Sequence, residues 1–316
     1  MEFIELAELC DKGSSNLAQK DLVFNSGIYP VYGAPGEITK VGFFHQSKPY
    51  LGLIKDGAGV GRVMQLPANS SVIGTIQYIF PKENVDLKYL YYLIKYLDLG
   101  KSNTGATIPH IYFKDYKKRK VKVREYSEQK HIGQILELID SHLRIYKNVL
   151  EQYDLLIKSR FVEMFGDITE IGKFKVKRWK EVLDIFNGKD YKNVLVNKGG
   201  YPVYGSGGII ARANDYICPA GTIIIGRKGS INNPILVNEK FWNVDTAFGI
   251  VPKEVVNINY LFYFCKQYNF NRLNKATTLP SLTKRDLLEI EINIPDLEEQ
   301  VKFSRFVNQI NKLKFA

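Results

Sequence analysis

The segment Tyr29-Pro30-Val31-Tyr32-Gly33 recurs as Tyr201-Pro202-Val203-Tyr204-Gly205, 172 residues further along the chain. The match continues, since Lys55-Asp56-Gly57 aligns with Arg227-Lys228-Gly229 at the same offset. After this second match, one single-residue indel keeps the two copies aligned to their ends. This period is far longer than the roughly 20–50 residues of solenoid repeats, so the sequence predicts two duplicated domains.

The composition is typical of a soluble globular protein. The chain has 316 residues, a length that suggests two domains, and its 45% hydrophobic content suffices for a sizeable core. Cys10, Cys218 and Cys265 lie far apart, so we expect neither a disulfide framework nor a cysteine zinc site, and we expect a reducing cytoplasm. The start of the chain lacks a signal-peptide pattern, and no apolar run approaches the ~20 residues of a membrane-spanning helix.

The chain carries 44 Lys and Arg residues against 33 Asp and Glu residues, a formal net charge of +11. This balance favours a polyanionic partner, nucleic acid first. Lysine-rich surfaces are common, so charge alone leaves the partner open.

Each copy mixes short strands with helices, which predicts an α+β (mixed α/β) fold. Tyr and Leu at helical spacing predict helices at 87–97 and 259–268. Asp115 and Asp286 are interpreted as turn residues that lead into a final strand. Apolar runs between Gly and Pro residues predict strands at 22–24, 50–54, 71–76, 222–225 and 248–251.

Residues 126–165 predict one long helix of about 60 Å. Ser127 is the expected N-cap, and Gly166 the expected stop. The helix either lies on a globular core or forms a coiled-coil arm, and its narrow apolar stripe favours the arm. The second copy begins the same helix at 297–316. The predicted spacer and interface residues are Ile132, Ile135, Leu136, Ile139, Leu143, Tyr146, Val149, Leu150, Tyr153, Leu156, Phe303, Phe306 and Ile310.

Three kinds of segment occur in the same order along the two copies. They are the Tyr-Pro-Val-Tyr-Gly segments, the late segments 105–110 (GATIPH) and 276–281 (ATTLPS), and the helix start 127–132 (SEQKHI). This duplicated order resembles the DNA sequence specificity subunit of a type I restriction-modification system. The resemblance covers nearly the whole chain. No single motif is very specific, but their duplicated order is.

The resemblance implies two target recognition domains, 1–125 and 166–296, each reading half of a bipartite DNA site. The spacer helices 126–165 and 297–316 would pair antiparallel and hold the domains apart. The subunit itself would bind no cofactor and catalyse nothing. It would dock DNA methyltransferase (modification) subunits, which use S-adenosylmethionine, and through them a restriction/translocase subunit that uses ATP and Mg²⁺.

The shortness of the second helix has a consequence for the first. In an antiparallel pair, residues 297–316 would lie against 146–165 and leave 126–145 without a partner. Exposure of that apolar stripe is unfavourable. We therefore expect another chain, such as an additional copy of this one, to cover it, or the native C-terminus to be longer.

Candidate DNA contacts lie in two loop regions of each copy. Arg can pair with guanine and Asn with adenine, although a Gly-rich segment such as 55–62 can also be a solvated hairpin tip. Ser281 and Thr283 can instead cap a helix. The Tyr-Pro-Val-Tyr-Gly segments are interpreted as turns rather than as rings beside DNA. The candidates are Lys55, Arg62, Lys101, Asn103, His110, Tyr112, Lys118, Arg227, Lys228, Asn232, Asn233, Arg272, Asn274, Lys275, Ser281, Thr283 and Lys284.

Two basic runs, 117–120 (KKRK) and 173–180 (KFKVKRWK), are candidate phosphate contacts. The alternative is that each run is a solvated face, which is the usual role of clustered charge.

Motifs for catalysis are missing from the sequence. The four histidines show no metal-ligand spacing, and Asn233-Pro234-Ile235-Leu236 lacks the second proline and the aromatic residue of a methyltransferase motif. The prediction is a non-catalytic specificity subunit. The alternatives are a recognition subunit of another multisubunit DNA-modification system, a degenerate methyltransferase or nuclease, and a helix-mediated assembly protein that reads no DNA.

Overall fold

The computed structural model describes residues 3–22, 25–102, 109–274 and 279–314. The chain forms two compact units, Met1–Tyr146 (unit 1) and Lys147–Ala316 (unit 2). The predicted domain boundaries at 125, 165 and 296 stay predictions, since the division into units assigns the first part of the long helix to unit 1 and the rest to unit 2.

Unit 1 contains short strands, two short helices and the first part of the long helix. Its strands are β1 (Phe3–Glu5), β2 (Cys10–Ser14), β3 (Tyr29–Gly33), β4 (Gly36–Val41), β5 (Tyr50–Ile54), β6 (Val63–Leu66), β7 (Ser71–Val72), β8 (Ile76–Pro81) and β9 (Lys120–Lys122). Its α-helices are α1 (Leu87–Leu97), α2 (Phe113–Tyr116) and the start of α3 (Tyr126–Phe165). Short 3₁₀ helices cover Leu6–Glu8, Gln19–Leu22 and Leu99–Ser102.

Unit 2 repeats this order. Its strands are β10 (Lys175–Arg178), β11 (Leu183–Asn187), β12 (Tyr201–Gly205), β13 (Gly208–Ala213), β14 (Thr222–Gly226), β15 (Ile235–Val237), β16 (Trp242–Asn243), β17 (Ala247–Pro252) and β18 (Glu291–Ile294). Its helices are α4 (Trp179–Val182), α5 (Ile258–Gln267), α6 (Lys284–Leu288) and α7 (Leu297–Lys314), with 3₁₀ helices at Lys192–Val194 and Phe270–Leu273.

The sheets of the two units correspond strand for strand. A four-stranded sheet has the order β2-β8-β5-β6 in unit 1 and β11-β17-β14-β15 in unit 2. A three-stranded sheet has the order β4-β3-β7 or β13-β12-β16, and each contains one parallel pair. The last strand of each domain pairs with an early strand, as β1-β9 and β10-β18. The predicted mixed α+β fold with two repeated domains is confirmed.

The central strands are apolar along their whole length because both of their faces are covered. In β5, Leu51 and Leu53 pack with α1 residues Leu90 and Ile94. The alternate residues of β5 pack on the other side with the cluster that contains Tyr78. A strand buried on both faces has a continuous apolar sequence.

The predictions of α1, β5, β14 and β17 are confirmed, and α5 begins one residue before the predicted helix. The Tyr-Pro-Val-Tyr-Gly segments are strands β3 and β12, so the turn interpretation is wrong. The proline is tolerated near the start of each strand, where one missing N–H is harmless. Asp115 and Asp286 lie in short helices rather than turns, although a final strand does follow each of them.

Two further strand predictions are wrong in part. The predicted strand 71–76 is broken, because Gly74 N donates to the carbonyl of Leu17 and separates β7 from β8. In the predicted strand 22–24, Leu22 ends a 3₁₀ helix, and the other two residues lie outside the described residues.

The long helix α3 covers the predicted range 126–165. It begins one residue before Ser127, which therefore lies in the first turn and is not the N-cap. Gly166 ends it as predicted, with φ of +83° and its N–H donating to the carbonyl of Val162 at 2.8 Å. A left-handed residue after the last turn is most easily glycine.

Within unit 2, α7 packs antiparallel against the end of α3. Phe303 contacts Phe161 and Phe165, with ring centroids 5.5 and 5.6 Å apart. Further along α7, Lys314 Nζ lies 2.6 Å from Asp154 Oδ1. Rising numbers on α7 thus meet falling numbers on α3, as the pairing of 297–316 with 146–165 predicts.

Candidate nucleic-acid interface and helix surfaces

In unit 1, the β5–β6 hairpin loop joins the late loop through backbone hydrogen bonds. Gly57 N donates to the carbonyl of Pro109 at 3.0 Å, and Ile111 N donates to the carbonyl of Lys55 at 3.0 Å. Asp56 and His110 form the β-bridge between them. The candidate residues of 55–62 and 109–112 therefore form one surface, here named paired loop 1.

Unit 2 repeats this junction. Gly229 N donates to the carbonyl of Pro280 at 3.1 Å, and Leu282 N donates to the carbonyl of Arg227 at 2.8 Å. Lys228 and Ser281 form the equivalent β-bridge. Residues 227–233 and 279–284 are here named paired loop 2. Two segments that are distant in sequence are thus held together by the same backbone bonds in both repeats.

Paired loop 1 presents charge beside an aromatic ring. Asp56 contacts His110 through Nδ1 and lies 3.9 Å from the Lys55 ammonium group. Tyr112 is 49% exposed, and its ring centroid lies 3.9 Å from that of His110. The Arg62 guanidinium group donates to the carbonyl of Ala34. The candidate residues Lys55, Arg62, His110 and Tyr112 thus lie in one loop pair, where hydrogen-bond donors stand beside the acceptor Asp56.

Paired loop 2 presents cations without a counterpart of Asp56. Arg227 Nη1 donates to the carbonyl of Asp245 at 3.4 Å, and its guanidinium group lies over the Phe248 ring. Lys228 and Asn233 are exposed. The side chains at the two bridge positions therefore differ between the repeats, whereas the backbone geometry is the same.

Several candidates in unit 2 have structural partners. Asn232 Oδ1 accepts from Phe270 N at 2.7 Å, which ties paired loop 2 to the 3₁₀ helix. Thr283 Oγ1 accepts from Asp286 N at 3.1 Å, so the helix-capping alternative is confirmed for Thr283. Lys284 Nζ donates to the carbonyl of Ile185 at 2.7 Å. Asn274 Oδ1 accepts from Ser281 N at 2.9 Å.

The remaining candidates lie apart or outside the described residues. Lys101 is exposed and pairs with Asp98 at 2.9 Å. Arg272 is exposed on the 3₁₀ helix Phe270–Leu273. Asn103 and Lys275 lie outside the described residues. DNA contact by any of these candidates stays a prediction.

The two basic runs differ in their neighbours. In 173–180, Lys180 and Arg178 both pair with Glu289, at 2.9 and 2.8 Å, and Lys177 pairs with Glu181 at 2.8 Å. The hydrogen bond from Lys180 lowers the pKa of Glu289. Two carboxylates thus pair with three of the five cations in this run. In 117–120, by contrast, Lys118 is exposed and occupies the position equivalent to Glu289.

The cysteines are buried thiols. Burial raises the pKa of Cys10 and of Cys218 to about 12, and it raises the pKa of Cys265 as well. A thiol that stays protonated at neutral pH is a poor nucleophile.

Across residues 3–22, 25–102, 109–274 and 279–314, no three His, Cys, Asp or Glu side chains meet as a metal site.

The first part of α3 forms an open apolar groove with α1. The groove has a volume of about 430 Å³, and its walls include Tyr89, Tyr92, Ile132, Leu136 and Ile139. Ion pairs border it, Lys95 with Asp140 at 2.9 Å and Lys88 with Glu137. We name it the unit 1 groove.

The predicted spacer residues divide into an open set and a covered set. On α3, Ile139 and Leu143 are 48% and 53% exposed, and the neighbouring stripe residues are similar. Leu156 is also exposed, because Ile157 occupies the buried position beside α7. The exposed set is Ile135, Ile139, Leu143, Tyr146, Val149, Leu150 and Leu156; Ile132, Leu136, Tyr153 and Phe306 are half-buried, and Phe303 and Ile310 are buried.

Sequence reasoning did not identify Gln129 and Gln300 as important positions. Both are buried, and they occupy equivalent positions at the start of the two spacer helices. The signal was present in the repeated Glu-Gln pair at 128–129 and 299–300. A polar residue repeated in two otherwise divergent copies indicates a shared contact.

The model of the type I restriction modification DNA specificity domain matches residues 1–152 and again residues 171–316. The chain belongs to this family. The type I restriction enzyme MjaVIII specificity subunit of Methanocaldococcus jannaschii is 25% identical over 312 residues, which covers 83% of this chain and 72% of the relative.

Solved structures show the same fold. The crystal structure of the type I restriction-modification S subunit from M. genitalium superposes with a TM-score of 0.72 at 18% identity, covering 99% of this chain and 90% of that one. A second solved chain comes from a structural study of complex assembly and conformational transition of the type I restriction-modification system. It gives a TM-score of 0.51 at 15% identity, covering 99% of this chain and 90% of that one.

Among the described residues, no helix is long and apolar enough to span a membrane.

Proposed function

We propose that this type I specificity-family chain reads a bipartite site in double-stranded DNA, one half through each paired loop, and that it catalyses no reaction itself. The observation that carries this proposal is the identical backbone junction in the two repeats, which presents different side chains. Similar scaffolds with different reading groups suit an asymmetric target. A cytoplasmic location stays a prediction.

The side chains of the paired loops offer suitable recognition chemistry. Arg227 and Lys228 can donate to guanine O6 and N7, whereas Asp56 can accept from a cytosine or adenine amino group. The net charge of +11 supplies salt-dependent attraction to phosphates. The run 117–120 is the stronger candidate for phosphate contact, because Lys118 is exposed, whereas Glu289 and Glu181 pair with three of the five cations of 173–180.

Assembly with other chains is the second part of the proposal. DNA methyltransferase subunits would supply S-adenosylmethionine chemistry, and a restriction/translocase subunit would join through them. The unit 1 groove supports this view, because apolar side chains of α1 and α3 are exposed there at helical spacing. We expect a helix of another polypeptide to cover it, either from a methyltransferase subunit or from an additional copy of this chain.

The test of DNA reading is methylation mapping in cells that make the chain together with its methyltransferase. We expect a bipartite methylated motif with a fixed gap that disappears when the gene is deleted. Replacing residues 174–295 by those of a related chain should then change one half of the motif and leave the other. A methylation pattern that is identical with and without the gene would contradict the proposal.

A second test addresses the loop residues themselves. Arg227→Ala with Lys228→Ala should weaken binding to a DNA duplex that carries the mapped motif by at least about tenfold, since each good base contact contributes about 1–3 kcal/mol. The matched control is Arg305→Ala with Lys312→Ala on α7, which removes the same charge from exposed positions outside paired loop 2. If both double variants lost DNA affinity equally, the loss would reflect net charge alone and not base contacts by paired loop 2. Binding of S-adenosylmethionine by the isolated chain would instead favour an enzyme.

A further inference from the structure

Gln129 is a buried amide at the start of α3, and all of its polar atoms are hydrogen-bonded. It is 2% exposed. Its Oε1 accepts from Asp86 N at 3.0 Å, and its Nε2 donates to the carbonyls of Asn84 at 3.3 Å and of Arg124 at 2.9 Å. One side chain thus joins the spacer helix, the chain that enters it and the loop before α1.

Gln300 makes the same three bonds in unit 2. Its Oε1 accepts from Asn257 N at 2.8 Å, and its Nε2 donates to the carbonyls of Val255 at 3.2 Å and of Pro295 at 2.7 Å. The sequence separations are identical in both units, at 43, 45 and 5 residues. The surrounding side chains differ, so the network is preserved although its environment is not.

The contacted backbone belongs to the cap of the neighbouring helix. Asp86 caps α1 by accepting from Tyr89 N at 2.9 Å, and Asn257 caps α5 by accepting from Asn259 N at 2.9 Å. The backbone N–H of a cap residue is the group that a capping box satisfies from within the same helix. Here a glutamine from the spacer helix satisfies it, so the two helix starts are fixed to each other.

A close approach one turn later in α3 also restricts the angle between α3 and α1. A Cβ on Gly133 would lie 3.0 Å from Lys88 Cβ and from Tyr89 N, so α3 approaches α1 there as closely as a glycine allows. At the equivalent position of unit 2, Ser304 Oγ accepts from Asn259 Nδ2 at 2.7 Å. Two contacts a turn apart fix the direction of a helix, whereas one contact would leave it free to pivot.

We propose that Gln129 and Gln300 are positioning residues that fix the direction in which each spacer helix leaves its recognition domain. Their consequence for DNA rests on the proposed function: the gap between the two half-sites depends on these two directions. A buried amide is suited to this role, because its donors and acceptor must all be satisfied in one geometry.

The first test needs no DNA. Spin labels on Lys40→Cys and Arg144→Cys, both exposed in unit 1, report the direction of the helix, and the three native cysteines are buried. Gln129→Met keeps the side-chain volume and removes all three bonds, and we expect the distance distribution to broaden about twofold as the junction opens locally. The matched control, Gln134→Met at an exposed position of the same helix, should leave it unchanged.

If the Met variant does not fold, Gln129→Glu replaces it, because the carboxylate keeps the acceptor for Asp86 N and loses both donors. A folded variant with an unchanged distribution would overturn the proposal. This readout is independent of DNA reading, so it stands or falls separately from the proposed function.

The second test is the methylation map. We expect Gln129→Met and Gln300→Met to keep both half-site sequences but to lower methylation of sites with the original gap about tenfold. The reason is that a misplacement of reacting groups by about 1 Å can lower a reaction rate by up to about 100-fold. Sites with neighbouring gaps should gain methylation. Folded variants that methylate the original gap at the wild-type level would overturn the positioning role, whereas a wild-type chain without any bipartite motif would overturn the proposed function instead.

Discussion

The unit 1 groove and its counterpart in unit 2 have equivalent walls but different contents. Tyr89, Tyr92 and Ile132 of unit 1 correspond to Tyr260, Tyr263 and Phe303 of unit 2. In unit 2 these walls are covered by the end of α3, where Phe161 stacks on Tyr260 with centroids 5.4 Å apart. In unit 1 the groove is open and bordered by ion pairs.

This difference identifies the kind of object that fits the open groove. The covering segment in unit 2 is a helix that places Ile157, Phe161 and Phe165 on one face, four residues apart. It runs antiparallel to the helix that it covers. An antiparallel helix with bulky apolar side chains at this spacing is therefore the complement that the geometry of unit 1 favours.

The largest effect is expected where the groove is filled. Phe161→Ala should lower the free energy of unfolding of unit 2 by about 3–5 kcal/mol, because it leaves a cavity among packed rings. Urea denaturation followed by tryptophan fluorescence measures this, since both tryptophans, Trp179 and Trp242, lie in unit 2. Leu155→Ala, at a 54% exposed position of the same helix, is the control and should change stability by no more than about 0.5 kcal/mol. A small loss for Phe161→Ala would mean that the end of α3 is not an integral part of unit 2.

The next prediction fills the open groove in trans. A labelled peptide with the sequence of residues 150–166 should bind the full chain, and at about 100 times its Kd it should stabilise the chain by about 2.7 kcal/mol. Fluorescence anisotropy measures the binding. Ile139→Asp in the groove should abolish it, whereas Ile145→Asp, at a 58% exposed position outside the groove, should not. Binding that persists in Ile139→Asp would place the peptide elsewhere, for example by exchange into unit 2.

The sequence predicted the long elements well, because their signals are local. The period of α3 and the double burial of β5 are visible without tertiary information. The same sequence did not predict that Tyr29–Gly33 is a strand, since Pro and Gly favour a turn locally and only the pairing with β4 and β7 overrides that preference. The sequence pattern predicts the two segments of each paired loop separately, because the backbone hydrogen bond between Gly57 and Pro109 does not depend on their side chains.

A smaller effect compares the helices that follow the late loops. Thr283 caps α6, whereas the equivalent cap residue of α2, Tyr112, makes no side-chain cap bond. Thr283→Ala should therefore destabilise unit 2 by about 1 kcal/mol, and Thr283→Ser should restore most of the loss. The same tryptophan-monitored denaturation measures both variants. Equal stability of the Ala and Ser variants would show that the cap bond contributes nothing.

The smallest effect concerns the basic run 173–180, in which Arg178 and Lys180 pair with Glu289. The hydrogen bond from Lys180 lowers the pKa of Glu289 in the folded chain below its ordinary value of 4.5. A carboxylate whose pKa is lower in the folded than in the unfolded chain stabilises the folded state at pH values above the unfolded pKa. This stabilisation is lost as the pH falls through the pKa of the folded chain. Denaturation of unit 2 from neutral pH down to about pH 3 should therefore show a slightly weaker acid dependence in Glu289→Gln than in the wild type.

Salt separates this ion-pair effect from other acid effects. Because the groups are exposed, about 1 M salt, with a screening length of about 3 Å, should reduce the difference between wild type and Glu289→Gln. In unit 1 the equivalent position is Lys118, so Lys118→Gln should not reproduce the change. If both substitutions altered the acid dependence equally, the local pairing would not distinguish the two basic runs, and the preference for 117–120 as the phosphate contact would lose its physical basis.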